Sequence, residues 1–132
     1  MSDWVYYEIE FRKEDEDKVK KATSRYNERQ YDNRSVSGKL VTYFFAQSAS
    51  GGFDENNKLC RAGIAFRGCH GEGFEFDRQV FASDGKNLAE LPCNRDGAAM
   101  VFFKDGAVDK DSLEKAWEYA KVLKNANEIL EA

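Results

Sequence analysis

The sequence has few of the residues on which catalytic and metal sites depend. It contains one histidine, His70, and three cysteines, Cys60, Cys69 and Cys93, in 132 residues. An odd cysteine count together with the absence of a secretion signal is typical of free thiols in a reducing compartment, so we expect a cytoplasmic protein. No C-x2-C or C-x4-C spacing occurs, which excludes a standard zinc knuckle.

The chain also lacks the segments that enter or cross a membrane. No apolar run approaches the ~20 residues that span a bilayer. Residues 1–11 do not combine a basic segment with a following apolar segment, so we expect no signal peptide. The sequence therefore predicts no membrane partner.

The net charge is small, and the common phosphate-binding motifs are absent from the sequence. The formal net charge of −4 argues against non-specific nucleic-acid binding by the whole surface and is too small for a protein that imitates DNA. Neither G-x-x-x-x-G-K-[ST] nor a G-x-G-x-x-G turn that opens a helix is present. Direct nucleic-acid binding is not favoured, and we expect no cofactor.

What the sequence does contain is material for a packed core. Hydrophobic residues make up 42% of the chain and aromatic residues 14%, with ten phenylalanines. A chain of this length and composition predicts one domain over residues 1–132. Because phenylalanine adds bulk without a polar group, we expect a thick core between a sheet and helices.

Period-2 alternation of apolar residues predicts an antiparallel sheet of about five strands. The predicted strands lie at residues 4–11 and 39–47, in the two runs of a hairpin over 58–81 with its glycine-rich turn at 68–73, and at 88–91 and 98–103. Pro92 ends the fifth of these, which reads as an edge strand, and the last is apolar throughout and expected to be buried. The predicted loops and turns cover 27–38, 48–57, 83–87 and 94–97.

Two helices complete the pattern, one over residues 14–29 with an acidic start and one over 109–130 capped by Asp109 or Asp111. In the second helix a spacing of 3.6 places one apolar stripe on the core: Leu113, Ala116, Trp117, Ala120, Leu123 and Leu130. Four more residues widen that stripe: Tyr119, Val122, Ala126 and Ile129. The order β-α-β-β-β-β-α predicts an α+β fold with both helices packed on the sheet.

Charge is segregated along the chain in a way that indicates a binding surface. Residues 18–39 carry a local charge of +5, whereas residues 1–17 carry −5. The candidate binding residues are the basic face of the first helix with its neighbouring aromatics and the strand face opposite the core: Lys18, Lys21, Arg25, Arg29, Tyr26, Tyr31, Trp4 and Tyr6. The basic face suits a phosphate backbone or an acidic protein patch, and a solvated helix face is the alternative interpretation.

Catalytic chemistry has one candidate cluster, Cys69 and His70 with Glu72 and Glu75. Adjacent residues in a tight turn direct their side chains apart, so this cysteine and histidine are poor partners for thiolate catalysis. A zinc site built from the three cysteines and His70 has suitable ligand types, but its ligands come from separate elements. Cys60 is expected on the buried face of a strand, where a thiol behaves as a small hydrophobe.

These observations favour a non-enzymatic binding or regulatory module with a protein or nucleoprotein partner that presents an anionic patch. The small size, the lack of catalytic motifs and the segregated charge are shared with small phage and mobile-element proteins that inhibit host defence systems. The alternative is a ligand-binding cup or a small enzyme with its site near Cys69 and His70.

Overall fold

The computed structural model describes residues 4–23, 31–49, 53–72 and 77–132 and has the α+β fold that the element pattern predicts. The strands are β1 (Trp4–Arg12), β2 (Asn33–Ser37), β3 (Leu40–Ala49), β4 (Ala65–His70), β5 (Gln79–Asp84), β6 (Leu88–Pro92), β7 (Phe103–Lys104) and β8 (Ala107–Val108). The helices are α1 (Glu16–Thr23), α2 (Phe53–Arg61) and α3 (Lys110–Leu130), and a single 3-10 turn over Lys13–Asp15 leads into α1.

Six strands form one antiparallel sheet in the order β2-β3-β1-β4-β5-β6, and β7 with β8 forms a separate hairpin. The first strand of the chain is therefore a central strand of the sheet. Ile9 in β1 lies opposite Tyr43 of β3 on one side and opposite Gly68 of β4 on the other. The antiparallel sheet is confirmed, with six strands where about five were expected.

One face of the sheet carries the aromatic core. The alternation in β1 buries Tyr7, Ile9 and Phe11, as the sequence predicts. The neighbouring strands add buried aromatic and branched side chains to this face: Val41, Tyr43, Phe45, Phe66 and Phe81. Helices α1 and α2 cover it with Val19 and Leu59, both fully buried.

The opposite face is covered by α3 over β4, β5 and β6. Val122, Ala126 and Leu130 of the helix are buried in one cluster with alanines of three strands, Ala65, Ala82 and Ala89. Such small side chains let a helix approach the sheet closely. Arg67 of β4 fastens the end of the helix, because it binds Glu10 of β1 at 2.6 Å and Glu131 at 3.3 Å. Its guanidinium also donates a short hydrogen bond to Asn127.

The two long predicted loops differ from the structure, and the predicted first helix is described only in part. Helix α1 reaches Thr23 within the described residues, and residues 24–30 lie outside them. Residues 33–37 form the edge strand β2 instead of a loop, pairing with β3. Residues 53–57 begin α2 instead of a flexible connection, and Asp54 and Glu55 in the first turn suit the positive end of the helix dipole.

The hairpin over 58–81 is also shifted along the chain. Residues up to Arg61 are helical, so the strand starts at Ala65, and Gly68, Cys69 and His70 belong to β4 instead of a turn. The pairing of β4 with β5 is antiparallel, with Cys69 opposite Val80. The second predicted run begins at residues 74–76, which lie outside the described part of the chain.

In the C-terminal third, several predicted boundaries are correct, but the predicted burial is wrong at two places. The turn before β6, the edge strand that ends at Pro92 and the helix beginning after Asp109 are confirmed. The buried strand over 98–103 is wrong, because Val101, Phe102 and Phe103 are exposed. The core position of Trp117 is wrong as well, since this side chain is 70% exposed. None of the described helices is long and apolar enough to cross a bilayer.

The burial pattern of α3 explains the error at Trp117. Nine residues, or two and a half helical turns, separate Trp117 from the buried Ala126, so these two side chains point to opposite sides of the helix. The apolar residues of α3 thus form two stripes. The stripe with Val122, Ala126 and Leu130 packs on the sheet, and the one with Leu113 and Trp117 faces solvent.

Candidate functional site

The predicted basic face begins on α1. Lys18 and Lys21 are exposed there, whereas Arg25, Tyr26 and Arg29 lie outside the described residues. The lysines stand on the outer side of the helix because Val19 points into the aromatic core. The structure therefore places two of the four predicted cations on one accessible helix surface.

A network of partly buried hydrogen bonds holds α1 against the sheet. Arg34 of β2 donates to both carboxylate oxygens of Glu16, from Nε at 2.6 Å and from Nη2 at 2.8 Å. The hydroxyl of Tyr43 donates to the same carboxylate at 2.6 Å. These hydrogen bonds, chiefly those from Arg34, lower the pKa of Glu16 to about 2. Burial and the bond to Glu16 raise the pKa of Tyr43 above its usual value.

The predicted aromatic residues lie in packed surroundings. Tyr31 is half-buried, and its ring centroid lies 4.5 Å from that of Tyr43 at the edge of the core. Tyr6 stacks on Phe44 across β1 and β3 at 6.2 Å, and the guanidinium of Arg78 lies 5.8 Å from its ring centroid. Trp4 belongs to β1, and its side chain is not among those described.

Cys69 and His70 point to opposite faces of the sheet, because they are adjacent residues of β4. Cys69 donates to Glu8 at 3.8 Å, and burial together with that neighbouring carboxylate raises the pKa of the thiol to about 11. His70 is buried on the core face, where Nδ1 lies 2.8 Å from the carbonyl oxygen of Gly71. This arrangement does not pair a thiolate with an imidazole.

The remaining thiols lie on separate elements of the fold, and Cys69 packs against the cluster that contains Cys93. Cys60 lies half-buried on α2, so its predicted position on the buried face of a strand is wrong. Cys93 is buried beside Leu91 and Val80, and burial raises its pKa. Within the four described ranges, no group of three or more His, Cys, Asp or Glu side chains is arranged to hold a metal ion.

The most distinctive surface of the protein was not predicted as a site. Six large apolar side chains are exposed on the β7–β8 hairpin, on the segment before it and on the first half of α3. We call this set the apolar patch: Val101, Phe102, Phe103, Val108, Leu113 and Trp117. Phe103 is 72% exposed, and Trp117 is 70% exposed.

Local hydrogen bonds fix the hairpin to the start of α3. The amide of Asp109 donates to the carbonyl of Phe102 at 2.8 Å, and the amide of Phe102 donates to the Ser112 hydroxyl at 3.0 Å. Asp109 also caps the helix by accepting from the amide of Ser112 at 3.3 Å. The hairpin and the helix therefore present their apolar residues from a connected support.

A sequence signal for this hairpin was present and was missed. The Asp105-Gly106 pair lies between Phe103 and Val108, and both of its residues have positive φ, 53° and 79°. An Asp-Gly pair between apolar residues is the strongest short-range signal of a two-residue hairpin turn. Treating residues 98–103 as one buried strand hid that signal.

Two of the grooves formed by described residues lie beside α3. A shallow groove of about 560 Å³ runs along the helix and is lined by Ala120, Leu123, Lys124, Asn127, Glu128 and Glu131. The second, of about 450 Å³, lies at the end of the helix beside the β2–β3 turn, where it is lined by Lys13, Lys39 and Leu130 among others. Neither groove includes Cys69 or His70.

Comparison of the chain with protein-family models, curated proteins and solved structures found no match.

Proposed function

We propose that the protein is a non-enzymatic binding module that docks on another protein through the apolar patch. The observation that supports this proposal is the exposure of Phe103 and Trp117 on adjoining, hydrogen-bonded elements. Taking about 200 Å² for a whole aromatic side chain, these two residues alone expose roughly 280 Å². That is close to the lower end of the largest apolar patch on a typical monomer, about 300–600 Å², and such patches mark interaction sites.

The residue types in the patch support a protein partner. Tryptophan and phenylalanine are enriched at the buried centres of protein interfaces, and tryptophan is among the residues that contribute most binding energy there. The exposed Lys18 and Lys21 of α1 add a basic surface for an anionic region of the partner. A regulatory role fits this character, as in small phage or mobile-element proteins that inhibit host defence systems.

An enzymatic site near Cys69 and His70 has less support. The thiol has a pKa of about 11, so little thiolate is present near neutral pH. The imidazole lies on the other face of the sheet. These two observations count against thiol catalysis at this site.

Affinity capture with matched variants tests the proposal. We expect wild-type protein to retain a partner from its native host that Phe103→Ser with Trp117→Ser loses, because both side chains are exposed and contribute no core packing. Lys18→Glu with Lys21→Glu should weaken the same complex, and more so at low salt. Thermal melting of the aromatic double variant should remain near the wild-type value.

Two outcomes would count against this function. Retention of the same partner at wild-type affinity by the aromatic double variant would remove the apolar patch from the interface. Turnover of a small molecule that depends on Cys69 or His70 would favour the enzymatic alternative instead.

A further inference from the structure

The exposed side of α3 carries an ordered row of side chains beyond its apolar residues. Spacings of four and three residues alternate along this row, which we call the seam: Lys110, Glu114, Trp117, Lys121, Lys124 and Glu128. All six residues are exposed. Alternating steps of three and four residues keep a row on one side of a helix and are the spacing of a coiled-coil contact line.

The charges on the seam make no ion pair with other described residues. In the part of the chain that the structure describes, none of these six side chains takes part in an ion pair. Trp117 stands near the middle of the row and is 70% exposed. The seam therefore has unpaired cations, unpaired anions and a central aromatic ring on one accessible face about 27 Å long.

The order of these residues is complementary to itself in the antiparallel direction. When two copies of α3 are aligned about position 119, Lys110 meets Glu128 of the other copy, nine residues to either side of the centre. Glu114 meets Lys124 five residues from the centre, and Trp117 meets Lys121 two residues from it. The first two layers are ion pairs, and the third places an ammonium group beside an indole ring, which is a favourable cation–π contact.

Other alignments of the same row lack this complementarity. A parallel pair would place every charge of the seam against its own copy. An antiparallel pair shifted by seven residues in one direction brings Lys110 to Lys121, and a shift in the other brings Lys121 to Lys124. Like charges in contact oppose association, so of these alignments only the one about position 119 satisfies all six seam positions.

We propose that the seam binds the seam of a second copy of this chain as an antiparallel helix pair with twofold symmetry. In such a pair each layer occurs twice, so the dimer contains four ion pairs and two Lys121–Trp117 contacts. The buried area is small and the charges are exposed, so the dimer is weak and reversible.

The proposed dimer assigns an occupant to Trp117, which is the one residue shared by the seam and the apolar patch. It rests on the proposed function only in treating Trp117 as a contact residue. The other five residues of the patch lie off the seam and stay available to another protein: Val101, Phe102, Phe103, Val108 and Leu113. A dimer presents this surface twice and so increases the avidity for a partner with two sites.

Sedimentation equilibrium with charge-exchanged chains tests the dimer. Wild-type protein should associate reversibly as its concentration rises toward the millimolar range. Glu114→Lys places lysine against Lys124 in both symmetric layers, and Lys124→Glu places glutamate against Glu114. Each variant alone should therefore raise the dissociation constant by about tenfold or more.

An equimolar mixture of these two variants should associate again with close to wild-type affinity. In the mixed dimer one layer pairs the new lysine at 114 with the new glutamate at 124, and its symmetric counterpart pairs the original residues. Lys115→Glu reverses a charge as Lys124→Glu does but lies off the seam and its flanking positions, so it should leave the association of the chain unchanged.

The inference is overturned if wild-type protein remains monomeric over the whole range, or if the mixture associates no better than its components. Either result leaves the proposed function standing, provided that Phe103→Ser still loses the captured partner. Conversely, a restored mixed dimer together with full partner retention by Phe103→Ser and Trp117→Ser would support the dimer and remove the docking surface.

Discussion

Replacing Glu16 by glutamine should weaken the attachment of α1 to the sheet without changing the volume of the side chain. The carboxylate receives two hydrogen bonds from Arg34, at 2.6 and 2.8 Å, and one from the Tyr43 hydroxyl at 2.6 Å. Glutamine can accept only part of this set and has no charge to offer the guanidinium. The loss is therefore that of a charge-assisted, bidentate contact.

The magnitude follows from the perturbed ionisation of this carboxyl. Its pKa falls from 4.5 to about 2 in the folded protein. One pKa unit corresponds to about 1.4 kcal/mol, so the whole shift would convert to roughly 3 kcal/mol. The Arg34 side chain is 31% exposed, and screening by solvent reduces the contribution to the free energy of unfolding to about 1–2 kcal/mol at pH 7.

The sign of the pH dependence is fixed by the direction of the shift. Because the folded-state pKa is depressed, the folded state holds its proton less firmly than the unfolded state does. The stabilisation is fully present above pH ~4.5 and is lost as the pH falls toward about 2. The difference in stability between wild type and Glu16→Gln should shrink over that interval.

Urea denaturation at a series of pH values measures this difference. We expect about 1–2 kcal/mol between the two proteins at pH 7 and convergence near pH 2. Asp17→Asn is the control, since Asp17 is an exposed neighbour on the same helix turn. A gap between wild type and Glu16→Gln that stays constant from neutral to low pH would refute the assignment of the stabilisation to the ionised carboxylate.

Two further predictions concern packing and thiol chemistry. Trp117→Ala should change the free energy of unfolding by less than about 0.5 kcal/mol, whereas Val122→Ala, on the buried stripe, should cost roughly 1–3 kcal/mol in chemical denaturation. Equal losses would mean that α3 packs by another face. At pH 8 the Cys69 thiol, with a pKa of about 11, should be alkylated by iodoacetamide far more slowly than in the unfolded chain, as followed by peptide mass spectrometry. Rapid labelling of Cys69 in the native protein would contradict the raised pKa and the burial of this thiol.

The sequence predicts the strands that have one buried face. In β1, apolar residues at every second position define both the strand and its core side, and Tyr7, Ile9 and Phe11 are buried accordingly. Helix α2 has no comparable signal. It is nine residues long, and its strongest core contact in the described set is Leu59, so its apolar spacing does not separate helix from loop.

The position of α3 was predictable, whereas its orientation was not. Its start is encoded locally by Asp109 and Ser112, which form the cap. Its orientation depends on the sheet surface that it meets, where Ala65, Ala82 and Ala89 accept the narrow stripe with Val122 and Ala126. Because the helix has apolar residues on two sides, its periodicity does not show which side packs on the sheet. For this reason Trp117 was assigned to the core, and the apolar patch was not predicted as a binding surface.

The predicted binding residues show a similar limit. Helical spacing correctly places Lys18 and Lys21 on an exposed surface. The packing of Tyr31 against Tyr43, and of Tyr6 between Phe44 and Arg78, depends on strand pairings that the sequence does not state. The pairing of strands that are distant in sequence, more than the residue type, decides how much of such an aromatic side chain stays exposed to a partner.

The central position of β1 has a consequence for the synthesis of the chain. This strand is synthesised before both of its partner strands, since Phe11 pairs with Val41 and Phe66, 30 and 55 residues later. At about 5–20 residues per second, the later partner follows after roughly 3–11 s. During that delay β1 is an unpaired apolar strand, which can aggregate with other nascent chains. Glu8 and Glu10 alternate with its apolar residues, and such charged gatekeepers oppose premature pairing between neighbouring nascent chains.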